Sequence, residues 1–443
     1  MRIRFVISFL ILAILAIACV FVKADFVIDE TAKYDKSDIA WMLTASGLVL
    51  LMTPGLSFFY GGMVSKKNII STMLQSFISL GVITLLYFVV GFSLCFGDSF
   101  YGLIGNPFQF LFLKNIGFNI IEKFSPTIPV LLFAIFQLKF AIITPALITG
   151  SFAERVRFNA YLIFICLFSV FIYCPLAHWT WHPDGFLRQW GVLDFAGGTV
   201  VHMSAGYAAL AGAIFLGPRT SFGDNKHTEP ANIPFVILGT GMLWFGWFGF
   251  NAGSSLGANP VAVQAFANTV IASASAMLTW IFFDAARGKK ISAMGACIGS
   301  VVGLVAITPA AGFVSMPHSL FIGFAAALIS NLAVRAKNKS NLDDTLDVFP
   351  CHGVGGIVGM LLTGVFASRV GLIYGSSTTF LYHVLALLIV TVYAFGGSYF
   401  FYFITDKIVP LRVSRDDEAH GLDFTQHGET YKLKKPTELS TSI

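Results

Sequence analysis

Charge is what this sequence has least of. Asp, Glu, Lys and Arg together make up 12% of its 443 residues, about half of the ~25% that soluble domains carry. That shortage sets aside a water-soluble globule. A net charge of +5 is small for the length and leaves no electrostatic footprint for nucleic acid. Cysteine is also scarce. The six (Cys19, Cys95, Cys166, Cys174, Cys297 and Cys351) sit in or beside apolar runs, with no C-x-x-C pair. They read as buried thiols rather than a disulfide framework or a zinc site, and no cofactor is called for. What fills the chain is 56% hydrophobic residues with a mean hydropathy of +0.78, including 46 Phe and 42 Gly. Rings fill lipid-facing and core space, and Gly lets helices approach closely. The composition is that of an all-α polytopic membrane protein.

The N-terminus has the layout of a targeting segment. Arg2 and Arg4 precede an apolar run from Phe5 to Val22, followed by Lys23, Ala24 and a polar stretch from Asp25 to Asp38. A charged start, an apolar run and a small residue before a polar segment predict a cleaved signal peptide over 1–24. An uncleaved first transmembrane helix is the alternative. A lipoprotein cut before Cys19 fits less well, with Ala16 three positions upstream.

Eleven apolar segments follow, at about 39–63, 71–96, 127–150, 158–177, 195–217, 233–252, 261–286, 291–309, 318–336, 350–370 and 378–405. Each is close to the ~20 residues needed to cross ~30 Å of hydrocarbon. Their connections sort the basic residues. Lys66, Lys67, Arg155, Arg157, Arg219, Lys226, Arg287, Lys289, Lys290, Arg335, Lys337 and Lys339 fall on one side. Lys114, Lys123, Arg188 and Arg369 fall on the other. By the positive-inside rule the mature N-terminus is outside and the tail cytoplasmic, in the cell membrane. The expected organisation is a transmembrane domain over 25–407 and a cytoplasmic tail over 408–443. The Asn338-Lys339-Ser340 sequon falls on the inner side and says nothing about glycosylation.

Spans five and ten echo each other. Asp194 is followed by His202 and Gly206; Asp347 is followed by His352, Gly353, Gly355 and Gly356. If spans one to five and six to ten are repeats, the odd number in each makes the halves antiparallel, as two inverted five-helix repeats plus one extra helix. Transporters place their pathways at such repeat interfaces near the midplane. At 1.5 Å per residue His202 lies roughly 12 Å below the outer start of its helix, and His352 enters from the opposite side. Ionisable groups at that depth are costly and functional by default. Unpaired buried imidazoles are neutral and offer a donor and an acceptor to a small polar solute. They could also pass a proton, or ligate a haem from two helices. The glycines after each histidine point to a gap narrower than a haem needs.

These residues carry a family resemblance. Asp194-Phe195-Ala196-Gly197-Gly198-Thr199-Val200-Val201-His202 resembles the signature of the ammonium transporter family (Amt/Mep/Rh). Phe140-Ala141 with Ala153-Glu154-Arg155, Gly249-Phe250-Asn251-Ala252-Gly253-Ser254, and Asp347-Val348-Phe349-Pro350-Cys351-His352-Gly353 agree with it. The resemblance runs from about Asp38 to Tyr431 and is closer to the Amt branch than to the Rh branch. It implies a homotrimer of eleven-span subunits, each with its own pore for ammonium or ammonia, and no enzymatic activity. Carried over by residue, Trp181, Ser254 and Phe140 would bind substrate outside, and Phe140 with Phe250 would form the gate. His202 and His352 would line the pore. Asp194 would support the outer site without touching the solute. Trp179 is the alternative to Trp181. Without the resemblance, the two phenylalanines read as filler, the two tryptophans as an interfacial belt and Asp194 as an N-cap.

Lys139 departs from this pattern, as a cation in mid-span beside Phe140. Adjacent helical residues differ by about 100°, so it is expected to point away from the pore. In the tail, Gly421-Leu422-Asp423 and His427-Gly428-Glu429 resemble the ordered cytoplasmic tail of the family. They imply regulation of transport, with a trimeric nitrogen-signalling PII protein as partner where the host has one. The mixed charges of the tail are expected to meet Arg155, Arg157, Arg219 and Lys226. Two other function classes stay open. One is an ammonium sensor on the same fold, which would normally append a signalling domain where this chain has residues 408–443. The other is a bis-histidine membrane haem protein.

Overall fold

The computed structural model describes residues 2–22, 33–223 and 229–431. The cleavage region around Lys23 and Ala24, and the basic residues Lys226, Lys432, Lys434 and Lys435, lie outside them. The apolar run of the targeting segment lies within a helix, Arg2–Phe21, with Ile11, Ile14 and Phe21 exposed. The spans follow: Lys36–Met63 (span 1), Ile69–Phe96 (span 2), Val130–Ser151 (span 3), Phe158–Gln189 (span 4), Gly198–Leu216 (span 5), Ile233–Gly253 (span 6), Pro260–Ala286 (span 7), Met316–Asn338 (span 9), Phe349–Phe366 (span 10) and Ser377–Ile408 (span 11). Among the described residues these ten are long and apolar enough to cross a membrane. Span 8, Ala293–Ile307, has 15 residues, roughly 22 Å at 1.5 Å each.

Span 8 stops early because the chain turns at Thr308 and Pro309. Non-helical backbone inside a membrane protein needs protein partners for its carbonyls, and this turn has them. Pro309 O accepts from Phe195 N at 3.1 Å. Asn268 Nδ2 donates to Ala311 O and Val314 O at 2.9 and 2.8 Å.

The repeats meet through glycine. Span 1 packs along span 6, where a Cβ on Gly239 would lie 2.3 Å from Phe59 N. Span 5 crosses span 10 at Gly206, where a Cβ would lie 2.3 Å from Gly353 Cα. Any side chain at that crossing would push apart the two segments that carry the histidines.

Loop charges on the predicted inner side are buried and paired. Arg155 is fully enclosed and donates to Ser151 O, Asp343 O and Thr345 Oγ1. Burial pushes its guanidinium down to about 10. Arg219 grips Asp343 through Nε at 2.8 Å and Nη2 at 3.0 Å, and reaches Glu154 through Nη1 at 2.9 Å. Burial opposes both carboxylates. On Asp343 the charges of Arg155 and Arg219 outweigh it, and on Glu154 the charge of Arg219 with the hydrogen bonds from Ser65 does. Both are held below the ordinary carboxylate range.

The tail is ordered through two short helices, Arg415–His420 and Leu422–His427. Its contacts differ from the expected acid–arginine pairing. Arg155 and Arg219 are taken by Asp343 and Glu154. The tail instead supplies capping groups. Asp423 accepts from Ile70 N and Ser71 N at 3.1 and 2.7 Å. This closes the first turn of span 2, whose own N-cap Asn68 makes no side-chain cap bond. Lys67 Nζ donates to Glu418 O and Ala419 O, and Gln426 Oε1 accepts from Phe158 N. Arg157 bonds Pro410 O and Arg412 O.

Removing one partner of a buried pair costs about 3–5 kcal/mol. Arg219→Met leaves Glu154 with Ser65 alone, so the thermal midpoint of detergent-solubilised protein is expected to fall at pH 7. The pH dependence reverses as well. In the wild type the depressed carboxyls stabilise above their unfolded pKa, and that stability is lost as pH falls through the folded values. In the variant an unpaired buried carboxylate is relieved by protonation, so acidification from pH 7 stabilises. Unchanged midpoints across pH 4–7 would contradict this.

Candidate functional site

The site begins at two matched helix starts. Asp194 Oδ1 accepts from Gly197 N and Gly198 N at 2.8 and 2.5 Å. Its Oδ2 accepts from Thr199 N and Thr199 Oγ1 at 2.7 and 2.5 Å. Both oxygens are committed to the backbone and Thr199, and the residue is buried. Span 10 repeats the device with Asp344, whose carboxylate accepts from Val348 N and Phe349 N at 3.1 and 2.7 Å. Each aspartate precedes its histidine by eight residues, and the third residue after each, Gly197 or Asp347, has positive φ. The sequence comparison had matched Asp194 with Asp347. Asp347 instead pairs with Lys337 at 2.7 Å. Equal spacing to the histidine was the signal for Asp344.

Past each cap the chain winds as a π-helix, Gly198–Met203 and Phe349–Val354, and each segment holds one histidine. Single π turns of this kind are frequent at functional sites. The rings meet Nδ1 to Nδ1 at 3.3 Å, with centroids 5.5 Å apart. That direct contact leaves no slot between them for a haem. Available protons order the pair. The Thr308 hydroxyl gives its one proton to Leu304 O at 2.8 Å and receives the Trp247 indole N–H at 2.9 Å. Its contact with His202 Nε2 at 3.3 Å therefore takes His202 as donor. His202 Nδ1 is then an acceptor, and His352 donates to it from Nδ1. Neither Thr308 nor Trp247 stood out in the sequence; nothing in composition marks a threonine at a helix end.

Above the histidines the rings form a column. Phe250 lies 6.1 Å from His202, Phe140 lies 4.3 Å from Phe250, and Trp181 meets Phe140 edge-on at 5.6 Å. Phe140 and Phe250 are buried and close the column. Outside them lies a vestibule of about 690 Å³ whose lining includes Phe140, Trp181, Asp194 and Ser254. Trp181 Nε1 donates to Asp194 O at 3.1 Å, and Ser254 Oγ donates to Phe250 O at 2.9 Å. The indole face and the serine lone pairs stay available. Trp179 is elsewhere, bonded to Leu103 O and packed on Phe186 and Tyr393. Lys139 is half-buried and is not part of the vestibule lining.

Below Phe140 and Phe250 the space shrinks to voids of about 10 Å³ each, the size that holds one water. The first is bordered by Phe250, Trp247, Val201, His202 and His352, the second by His352, Tyr60, Cys351 and Leu346. A second open vestibule of about 520 Å³ lies at the end that carries Glu154, Arg219, Asp343 and Asp347. The arrangement is an hourglass: two open mouths joined by an apolar neck with two imidazoles in it.

Relatives agree with this architecture. A model described as Ammonium Transporter Family matches residues 40–432. An ammonium transporter of Aquifex aeolicus is 46% identical over 416 residues, 92% of this chain and 96% of that protein. Ammonium transporter Amt1 of Archaeoglobus fulgidus is 39% identical over 397 residues, 88% of this chain and 98% of that one. Among solved structures, Mep2 of Saccharomyces cerevisiae matches with a TM-score of 0.82 at 32% identity, covering 93% of this chain and 94% of its own. A structure described as a sensor Amt protein matches at 0.81 and 31% identity, covering 88% and 98%. With this family model and these relatives along nearly its whole length, the chain belongs to the ammonium transporter family.

Proposed function

We propose that the chain carries ammonium across the cell membrane by taking a proton from it in the outer vestibule and conducting ammonia through the twin-histidine neck. One observation carries this reading: His202 and His352 in direct contact inside an apolar passage, between two voids of single-solute size. A passage that narrow and apolar penalises an ion by several kcal/mol or more. A neutral solute of water's size escapes that cost.

Selectivity follows from the order of events. The Trp181 face attracts a cation by about 0.5–2 kcal/mol, which does not separate ammonium from potassium. Ser254, its proton spent on Phe250 O, accepts an N–H that potassium lacks. Potassium cannot shed its charge at the gate; ammonium can. Ammonia then passes Phe140 and Phe250 and is solvated by the imidazoles. The released proton travels separately by the imidazole pair and rejoins ammonia at the inner mouth, so one positive charge crosses per solute. Asp194, with its oxygens committed, shapes the vestibule and does not touch the solute.

The same reading places the mature N-terminus outside, after removal of residues 1–24, and the tail in the cytoplasm. It takes the working unit to be a homotrimer with a pore in each subunit. It leaves the tail surface for a PII-type partner. The tail's capping of span 2 and its hold on Lys67 support a regulatory role.

His202→Ala and His352→Ala are each expected to abolish or sharply reduce ammonium-driven charge transfer in proteoliposomes, at unchanged amounts of inserted protein. Wild-type currents and selectivity in both variants would refute the role. Trp181→Leu removes ground-state attraction, so it is expected to weaken uptake more at low than at high ammonium. An unaltered concentration curve would move the capture site away from Trp181.

A further inference from the structure

Three side-chain amides line the outer vestibule: Gln137, Gln189 and Asn259. Two are spoken for. Gln189 Nε2 donates to Pro183 O at 2.6 Å. Asn259 Oδ1 accepts from Ala262 N at 3.0 Å and its Nδ2 donates to Ser255 O at 3.3 Å. Among the described residues the amide of Gln137 has no hydrogen-bond partner. The residue is 9% exposed, and its Oε1 is enclosed without a partner. A buried amide left unsatisfied is costly, and native structures rarely keep one without a reason. Its position supplies the reason. Phe133, Gln137 and Phe140 recur at helical spacing on the face of span 3 that lines the vestibule, which puts Gln137 one turn from the gate ring.

We propose that Gln137 is a ligand of the solute in the outer vestibule, and that its amide serves both protonation states. This rests on the vestibule being the ammonium capture site. Ammonium has four N–H donors and no acceptor. The acceptors open to it are few: the Asp194 carboxylate is fully committed, and Ser254 offers one oxygen. Turned about its last torsion, the Gln137 amide presents its carbonyl as a further acceptor one turn from the gate ring. Once the proton has gone, ammonia has a lone pair that an amide N–H can meet. No protein atom fixes which end of the amide faces the vestibule, and half a turn about its last torsion exchanges oxygen for nitrogen. Gln137 can therefore accept from ammonium before deprotonation and donate to ammonia after it. Ser254 cannot match this, because its only proton is held by Phe250 O.

The test is the initial rate of ammonium transport against concentration in proteoliposomes, normalised to inserted protein, for Gln137→Met, Gln137→Glu and Trp181→Leu. Methionine keeps the length of the side chain without either polar end. It is expected to raise the half-saturating concentration about tenfold, as for one lost hydrogen bond to an ion, and to lower the maximum rate. Glutamate keeps an acceptor and loses the N–H. It is expected to bring half-saturation back to the wild-type value or below while the maximum rate stays low. A Gln137→Met curve that overlays the wild type while Trp181→Leu is shifted would overturn the proposal and leave the capture site standing. Overlay of both curves would overturn the capture site, and the proposal with it. A wild-type maximum rate in Gln137→Glu would overturn the donor half.

Discussion

The contact between His202 and His352 is the constraint on which the rest of this structure depends. Two side chains 150 residues apart must meet at 3.3 Å inside an apolar neck, on helices that arrive from opposite faces. A close crossing is needed, and Gly206 against Gly353 provides it. Helix starts that hold their shape are needed too. Asp194 and Asp344 provide these by accepting the backbone N–H groups that open each π-helical segment. A buried carboxylate that caps a helix start also satisfies donors that would otherwise be orphaned. The aspartates therefore shape the two ends of the neck while their own charge is spent on backbone donors.

Charge is handled by position. Among the described residues, the neck's apolar lining is interrupted by the imidazoles, the Cys351 thiol, the Thr308 hydroxyl and the Trp247 and Tyr60 polar tips. At the end that carries the tail, Arg155, Arg219, Glu154 and Asp343 neutralise one another, and the tail closes over the loops by caps rather than by ion pairs. The vestibule beside Trp181 keeps an indole face, a serine oxygen and the Gln137 amide. In the proposed cycle a cation is met at the mouth by weak, unfixed partners and finds none in the neck that would hold it as an ion.

Much of this was legible in the sequence, for physical reasons. Hydropathy located all eleven segments because backbone in hydrocarbon must be helical. The histidines stood out because ionisable groups there are rare. The glycines after them pointed to a narrow gap, and Gly353 lies against Gly206. Trp181 and Trp179 could be separated only in three dimensions, since both belong to one helix end and differ in which neighbour each faces. Asp344 was missed because the comparison followed the aspartate nearest the helix rather than equal spacing to the histidine. Thr308 was illegible: its role comes from which proton it has already given away. Gln137 was legible by the rule that singled out Lys139, a polar residue in mid-span. The tail's contacts were misread because charges suggest ion pairs, whereas Asp423 acts on backbone N–H groups.

The central claim is that the neck passes a solute only after that solute has lost its charge. The most direct measurement is the current across a membrane of reconstituted wild-type protein on a step into ammonium, compared with an equal step into potassium. The account predicts a current with ammonium, as proton and ammonia cross by separate routes, and none with potassium. A potassium current of similar size would mean that ions traverse the neck intact, and would contradict it.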